Sequence, residues 1–370
     1  MLSFCIEFIQ LFIPERKTGL HDLFNNTLGT WIGAVIAMIY SHRVSAIARR
    51  IFYDLLNRKP FLLIVVIIGL AQFVAAVMPF TVSITYSDVA KSVKSLNPVP
   101  FTYHSIGAIF FNEPNKHDIE PFDITPMIED MLFWAVIGYL LMLCYRIYWK
   151  KKAYGKMVLW GLPLVYFPFL EGCQLFIMGR TTDINDIISG YLGIALGFFL
   201  YRQLRPLRRK MHRRDLDLLV IPLAMYLVFI VFSGLRPFDW LYAPDATLSD
   251  WRLENLVPFY AYFRHTSLWN IYDLADSLCY FLPISLYWSY ILKEKGVPYS
   301  QIYWRTTLAG FLLGAFIELT QLFSVERIAE ITDILAYAGG GAIGTFLIYY
   351  HERQVVPTLH RIREGVLHLG

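Results

Sequence analysis

The chain has 370 residues, of which 56% are hydrophobic and only 17% charged, with a mean hydropathy of +0.46 and a net charge of +4. Soluble domains usually carry about a quarter of charged residues, so this composition excludes a chain made of soluble domains. It also excludes a disordered chain, which needs low hydrophobicity and high charge.

Apolar runs long enough to cross ~30 Å of hydrocarbon recur along the chain. They predict ten helices, the first of them short, at 2–13, 20–40, 61–80, 128–147, 157–178, 186–203, 217–234, 271–292, 306–324 and 332–350. Helices are favoured over barrel strands because each run is about twice a barrel strand's length and lacks polar–apolar alternation. The predicted fold is all-α: a polytopic transmembrane bundle of about ten helices.

Charge predicts the orientation of these helices. The basic loops and the tail hold 23 of the 33 Lys and Arg residues but only 6 of the 29 Asp and Glu residues. Such segments stay in the cytoplasm, so both termini are predicted to be cytoplasmic. They indicate attraction to anionic lipid and not nucleic-acid binding, because no basic soluble domain is present. These segments are 41–60, 146–156, 202–217, 293–305 and 351–370.

The chain start and the cysteines predict little chemistry. The start has neither a charged n-region nor a small-residue cleavage site, so we expect no signal peptide. The cysteines lie apart in apolar runs without metal-ligand spacing, and we expect buried structural thiols. No metal site and no cofactor is predicted. The cysteines are Cys5, Cys144, Cys173 and Cys279.

One motif occurs three times, beginning at Glu7, Glu171 and Glu318. Each glutamate is followed at identical offsets by Gln, Phe, Arg, Asp and two Gly residues, at +3, +5, +9, +15, +22 and +26. Seven matched positions without a gap, found three times, indicate an internal repeat. In the second copy these include Gln174, Arg180, Asp186, Gly193 and Gly197; in the third, Gln321, Arg327, Asp333, Gly340 and Gly344.

The two later copies also share an upstream half, in which Pro-Phe precedes Asn-x-Val-Pro-Phe. The complete unit therefore has four helices, and the chain contains half a unit followed by two full ones. We predict repeat one at 1–40, a basic cytoplasmic linker at 41–60, repeat two at 61–205, repeat three at 206–350 and a cytoplasmic tail at 351–370.

These residues resemble the VanZ-like family over nearly the whole chain. Its pattern combines the glutamate and glutamine, Arg-x-x-Asp-x-x-Asp in the turn, a Gly-xxx-Gly helix and an upstream Asn-x-x-Pro-Phe. Repeat three matches best, with Arg236, Asn255 and Glu330 at motif positions, whereas repeat two has Met78 in place of Arg236. The resemblance implies a role in the bacterial cell envelope, in the cytoplasmic membrane, with an association with resistance to teicoplanin-type glycopeptide antibiotics.

The motif residues predict a polar cluster at the outer membrane boundary. A carboxylate there needs a partner or a wet cavity, and the arginine nine residues later can fold back onto Glu171 or Glu318. Asn185 and Thr332 are expected to cap the next helix, and the glycine pairs, Gly29/Gly33 included, to let helix backbones approach closely. The candidate catalytic residues are Glu318, Arg327 and Asp333, and the candidate binding residues are Arg236, Asn255, Gln321, Glu171, Gln174, Arg180 and Asp186.

Several functions stay open at this point. The leading hypothesis is a site that binds or modifies an envelope precursor or amphiphile, with membrane lipids or lipid-linked precursors as partners. A lipid or small-molecule transporter or flippase, and a scaffold in which the charged residues only staple a helical hairpin, are the alternatives. An enzyme would use Glu318 as general acid or base and Arg327 to hold an anionic group. The sequence indicates no reaction type and no oligomeric state.

Overall fold

The computed structural model describes residues 20–78, 80–83, 85–113, 121–211, 218–238, 257–260, 268–324, 327 and 329–355. Their structure is helical, and the described residues form isolated β-bridges but no strand. Helices α1 to α12 run, in chain order, Leu20–Arg58, Pro60–Val77, Tyr86–Ser95, Ile106–Phe111, Thr125–Cys144, Gly155–Gln174, Ile184–Gln203, Arg205–Met211, Val220–Leu235, Leu268–Glu294, Tyr299–Gln321 and Ile331–Tyr350.

The all-α prediction is confirmed, and the long helices from Pro60 onwards follow the predicted apolar runs, whereas α1 extends beyond its run to Arg58. Four helical stretches of the described chain are long and apolar enough to cross a membrane: 60–77, 125–149, 184–203 and 331–354. The last turns of 125–149 and 331–354 are π-helical. Helix α9 is apolar but shorter, at 16 residues. The predicted short helix 2–13 lies outside the described residues.

The structure divides into two compact units, one up to Ala71 and one from Gln72 onwards. In the first, α1 is a single helix of 39 residues that passes without a break through most of the basic segment 41–60. That segment holds good helix formers, and no proline or glycine interrupts it before Pro60. The contacts described below all lie within the second unit.

Repeats two and three share one helix contact. In each repeat, the helix that carries the glycine pair packs extensively on the long helix that follows the outer loop: α7 on α5, and α12 on α10. In repeat three α12 also packs extensively on α11, whereas α7 of repeat two makes little contact with α6. A Cβ added to Gly197 would lie 2.2 Å from the Ala135 carbonyl oxygen, and one added to Gly340 would lie 2.3 Å from that of Leu278. The Gly-xxx-Gly prediction is therefore confirmed in both complete repeats.

The glycine pair of repeat one differs. A Cβ added to Gly29 or Gly33 would meet no described atom within 4 Å. The close approach predicted there is thus absent from the described structure.

Repeats two and three meet where α5 packs against α9. The phenyl rings of Phe133 and Phe229 lie 5.2 Å apart between their centroids at this contact. Phe229 belongs in turn to the buried core of repeat three, formed by Phe229, Ile230, Phe281, Ile317 and Tyr337. The two repeats therefore share a continuous apolar contact, which brings the start of α5 next to the end of α9.

Candidate functional site

The motif glutamates are buried near the ends of their helices. Glu171 lies one turn before the end of α6 and is 6% exposed, and Glu318 lies one turn before the end of α11 and is 4% exposed. Both side chains use the same hydrogen bond. The Glu171 Oε2 atom accepts from the backbone N–H of Asp183 at 3.1 Å, and the Glu318 Oε2 atom accepts from that of Glu330 at 2.8 Å.

This bond joins the end of one helix to the start of the next. Asp183 and Glu330 are the N-cap residues of α7 and α12. The first N–H groups of a helix lack partners inside the helix, and the positive end of the helix dipole favours a carboxylate there. The cost of burying each glutamate is thereby partly offset within its own helical hairpin.

The motif arginines do not pair with these glutamates. Arg180 donates from Nε to the Met78 carbonyl and from Nη2 to the Ala75 carbonyl, both at 2.9 Å. Arg327 donates from Nε to the Arg236 carbonyl, also at 2.9 Å. Among the described contacts, no ion pair joins either arginine to the glutamate of its repeat, although the charge of Arg327 acts on Glu318 and that of Arg180 acts on Asp186. The predicted direct pairing of arginine with glutamate is therefore wrong. The reason is that carbonyls at a helix C-terminus are unpaired and attract a guanidinium.

The residues at the next helix start also differ from their prediction. Asp183 is the N-cap of α7, and its side chain accepts from the Asn185 N–H at 2.8 Å. Asn185 and Thr332 lie inside the first turn and are not the caps. They bind the upstream loop instead: Asn185 Oδ1 accepts from the Phe101 N–H at 2.7 Å, and Thr332 Oγ1 accepts from that of Phe259 at 2.8 Å.

The asparagine of the upstream loop is seen in repeat two. Asn97 donates from Nδ2 to the Thr102 carbonyl at 2.5 Å and to Asp183 Oδ1 at 3.0 Å. Burial raises the pKa of Asp183 above its ordinary value of 3.8, although the hydrogen bonds from Asn185 and Asn97 favour the charged form. Asn255, the equivalent residue of repeat three, lies outside the described residues.

The phenylalanine of each Pro-Phe pair has a left-handed backbone. The φ angles are +64° at Phe80, +59° at Phe101, +66° at Phe238 and +62° at Phe259. A bulky residue rarely adopts this conformation, and it persists only where surrounding contacts impose it. Its occurrence at equivalent positions of both repeats shows that the loop conformation belongs to the repeated unit.

Further carboxylates surround the buried glutamates. In repeat two, Asp130 of α5 and Asp186 of α7 lie close enough to Glu171 for their charges to interact with it. In repeat three, Asp333 interacts in the same way with Glu318, and its Oδ1 atom accepts from Ser277 Oγ at 3.3 Å. The structure thus brings Glu171 together with Asp186, and Glu318 together with Asp333.

Arg236 connects the two repeats. Its Nη1 atom lies 2.5 Å from Oε2 of Glu129, which belongs to repeat two, while Ser233 Oγ donates to the other oxygen of Glu129. Gln321 donates from Nε2 to the Gly234 carbonyl at 2.7 Å, so it binds the same end of α9. Arg236, Gln321 and Arg327 therefore converge on the end of α9.

Comparison with known families gives a match over three stretches of the chain. The model of the VanZ/LLP1 family matches residues 1–41, 61–205 and 219–352. The chain belongs to the VanZ/LLP1 family. The first two stretches lie at predicted repeats one and two, and the third begins at 219, whereas repeat three was predicted from 206. Comparisons with curated proteins and with solved structures gave no match.

Two parts of the VanZ-like site were missed at the sequence level. Glu129 stands outside the repeated motif, since its equivalent in repeat three is Ala275. The left-handed phenylalanines were recognised as a motif but not as a backbone constraint. The equal spacing of the Pro-Phe pairs in both repeats was the available signal for the left-handed phenylalanines. No local signal marks Glu129.

The VanZ-like chain shows no metal centre in its described part, where no group of His, Cys, Asp and Glu side chains is arranged to hold an ion. The cysteines differ in part from the expectation of buried thiols. Cys144 is buried, Cys173 is partly exposed and Cys279 is exposed. Cys279 was expected inside because its run is apolar, but the structure places it on a side of α10 that the described protein does not cover.

Proposed function

We propose that this VanZ-like membrane protein binds or modifies an envelope precursor or amphiphile at a polar site bordering the extracytoplasmic leaflet of the bacterial cytoplasmic membrane. Both termini lie in the cytoplasm in this proposal. The activity is linked to resistance to teicoplanin-type glycopeptides. Repeat three carries the principal site, with Glu318, Arg236, Gln321, Arg327 and Asp333 as its residues.

The observation that carries the proposal is a buried carboxylate held in the same way twice. Glu171 and Glu318 each accept a backbone N–H from the start of the following helix. Each also has a second carboxylate as a neighbour, Asp186 or Asp333. Burying carboxylates beside one another opposes folding, so their repetition supports a role beyond stability.

Repeat three is favoured because it has a cation, Arg236, at a position where repeat two has none. Arg236 is about one-third exposed and is held by Glu129, whereas repeat two has Met78 at that position. A partly exposed guanidinium next to carboxylates and an amide can orient a ligand that carries both charged and hydrogen-bonding groups. Membrane lipids and lipid-linked precursors are ligands of this type.

A scaffold is the second candidate, and a specific observation favours it. Arg180 and Arg327 donate hydrogen bonds to carbonyls at helix ends. Residues with a purely structural role in closing a helical hairpin make the same kind of contact. In that case the charged residues would be needed for stable insertion but not for any activity. The two candidates make different predictions for substitutions of Glu318.

The decisive variant is Glu318→Gln. A glutamine carbonyl can still accept the Glu330 N–H, so the hairpin bond is retained while the charge is lost. In a teicoplanin-sensitive bacterium that expresses the chain, we expect E318Q to lower the inhibitory concentration of teicoplanin to that of the empty vector. The amount of protein in the membrane and its thermal stability should match the wild type.

Glu171→Gln is the matched control, because Glu171 makes the same bond in repeat two. We expect E171Q to retain more of the resistance than E318Q. Unchanged teicoplanin sensitivity with E318Q at equal protein level would contradict the proposal. If only Glu318→Ala has an effect, and that effect is loss of inserted protein, the scaffold is supported instead.

A further inference from the structure

A row of arginines occupies the last turn of α7 and helix α8, at the end of repeat two opposite to the buried glutamate. Three of them, Arg202, Arg205 and Arg209, are exposed. Arg208 differs, because it is only 7% exposed. A buried guanidinium is unusual, since arginine is almost never fully buried unless it is paired.

The contacts of Arg208 involve an aromatic ring and a backbone oxygen. Its guanidinium carbon lies 3.8 Å from the centre of the Tyr201 ring, and its Nη1 atom donates to the Tyr201 carbonyl at 3.0 Å. Its charge also acts on the hydroxyl of Tyr139, whose ring lies 5.2 Å from that of Tyr201. Within the described part of the chain, Arg208 makes no ion pair with a carboxylate.

The two tyrosines add unpaired donors at the same place. Tyr139 is 0% exposed and Tyr201 is 4% exposed, and neither hydroxyl has a hydrogen-bond partner in the described structure. Buried polar groups are normally hydrogen-bonded, and buried charges are normally paired. A guanidinium and two O–H groups, all able to donate, therefore meet here, and the described residues supply no anionic acceptor for them.

We propose that Arg208, Tyr139 and Tyr201 bind the phosphate group of an anionic ligand, either a lipid headgroup or free phosphate. A phosphate oxygen accepts hydrogen bonds from a guanidinium and from hydroxyls, and it supplies the missing negative charge. The exposed arginines beside the site raise the local concentration of anions. The site lies at the end of repeat two away from the carboxylate cluster, so it is separate from the proposed function above.

The test uses the full chain in detergent and in lipid nanodiscs. Native mass spectrometry compares the retention of phosphatidylglycerol with that of phosphatidylcholine, and thermal unfolding in detergent is followed during titration with inorganic phosphate. We expect the wild type to retain phosphatidylglycerol about tenfold better than phosphatidylcholine if the ligand is a lipid headgroup. If free phosphate is the ligand, inorganic phosphate alone should raise the unfolding temperature.

Three variants decide the outcome. Arg208→Gln should lower the affinity for the bound species about tenfold, whereas Arg205→Gln, on the same helix but exposed, should change it less than about twofold. The pair Tyr139→Phe with Tyr201→Phe removes only the unpaired hydroxyls, so it should fold even if R208Q does not. It too should weaken binding.

Two results would overturn the proposal. One is a wild type that neither discriminates between the two lipids nor responds to inorganic phosphate. The other is a double phenylalanine variant that binds as the wild type does, since the hydroxyls would then be unpaired without any ligand.

Discussion

Replacing Gly197 by alanine tests how tightly α5 and α7 are packed. The added Cβ would lie 2.2 Å from the Ala135 carbonyl oxygen and 2.6 Å from the Tyr139 backbone nitrogen. Both atoms belong to the backbone of α5, so no side chain can rotate away. Restoring ordinary contact requires the two helices to separate by roughly 1 Å, at a cost of about 1–3 kcal/mol in a well-packed interior.

Gly172→Ala is the matched control, because an added Cβ there meets nothing within 4 Å. In an open helical position, alanine is favoured over glycine by up to about 1 kcal/mol. Because both variants gain this amount, we expect G197A to be less stable than G172A by the packing cost alone, about 1–3 kcal/mol. Gly340→Ala, whose Cβ would lie 2.3 Å from the Leu278 carbonyl, should behave like G197A.

The measurement is reversible unfolding in mixed micelles by titration with sodium dodecyl sulfate, followed by circular dichroism. Both alanine variants carry the same change in helix propensity, so their difference reports the packing alone. If G197A and G172A unfold within about 0.5 kcal/mol of each other, the close contact between α5 and α7 is refuted.

Two further predictions concern charged groups. Arg236→Met introduces the residue that repeat two has at this position, and it leaves Glu129 without its cation. Because the Arg236 and Glu129 side chains are only 34% and 18% exposed, we expect the free energy of unfolding to fall by about 1–3 kcal/mol. Adding Glu129→Gln should restore most of that stability. Equal stability of R236M and the wild type in the same unfolding assay would show that the pair contributes nothing. Burial raises the pKa of Asp183, so its contribution to stability is greatest below its ordinary pKa of 3.8 and is lost as the pH rises through the raised value. Asp183→Asn keeps the acceptor for the Asn185 N–H, so its stability relative to the wild type should increase from about pH 4 to pH 7, and a difference independent of pH would contradict this.

The amino-acid sequence alone determined the positions of the helices, the repeated unit and the packing face of α7 and α12. These follow from local patterns: apolar runs set the helices, and glycines four residues apart set a smooth helix face. The same patterns identified Glu171 and Glu318 as polar residues placed near helix ends. The hydrogen-bond partners of the polar residues could not be predicted from such patterns. Any residue type can supply a backbone carbonyl, so the sequence does not indicate which one accepts the bond.

Only the tertiary structure decided what the charged residues contact. Arg327 reaches a carbonyl 91 residues away, and Arg236 pairs with a glutamate 107 residues away in the other repeat. The motif arginines were expected to bind the glutamate of their own repeat. The unpaired carbonyls at the end of a neighbouring helix accept their hydrogen bonds instead. Which helix end lies within reach is set by the packing of α5, α9 and α11, and that packing depends on contacts far apart in the chain.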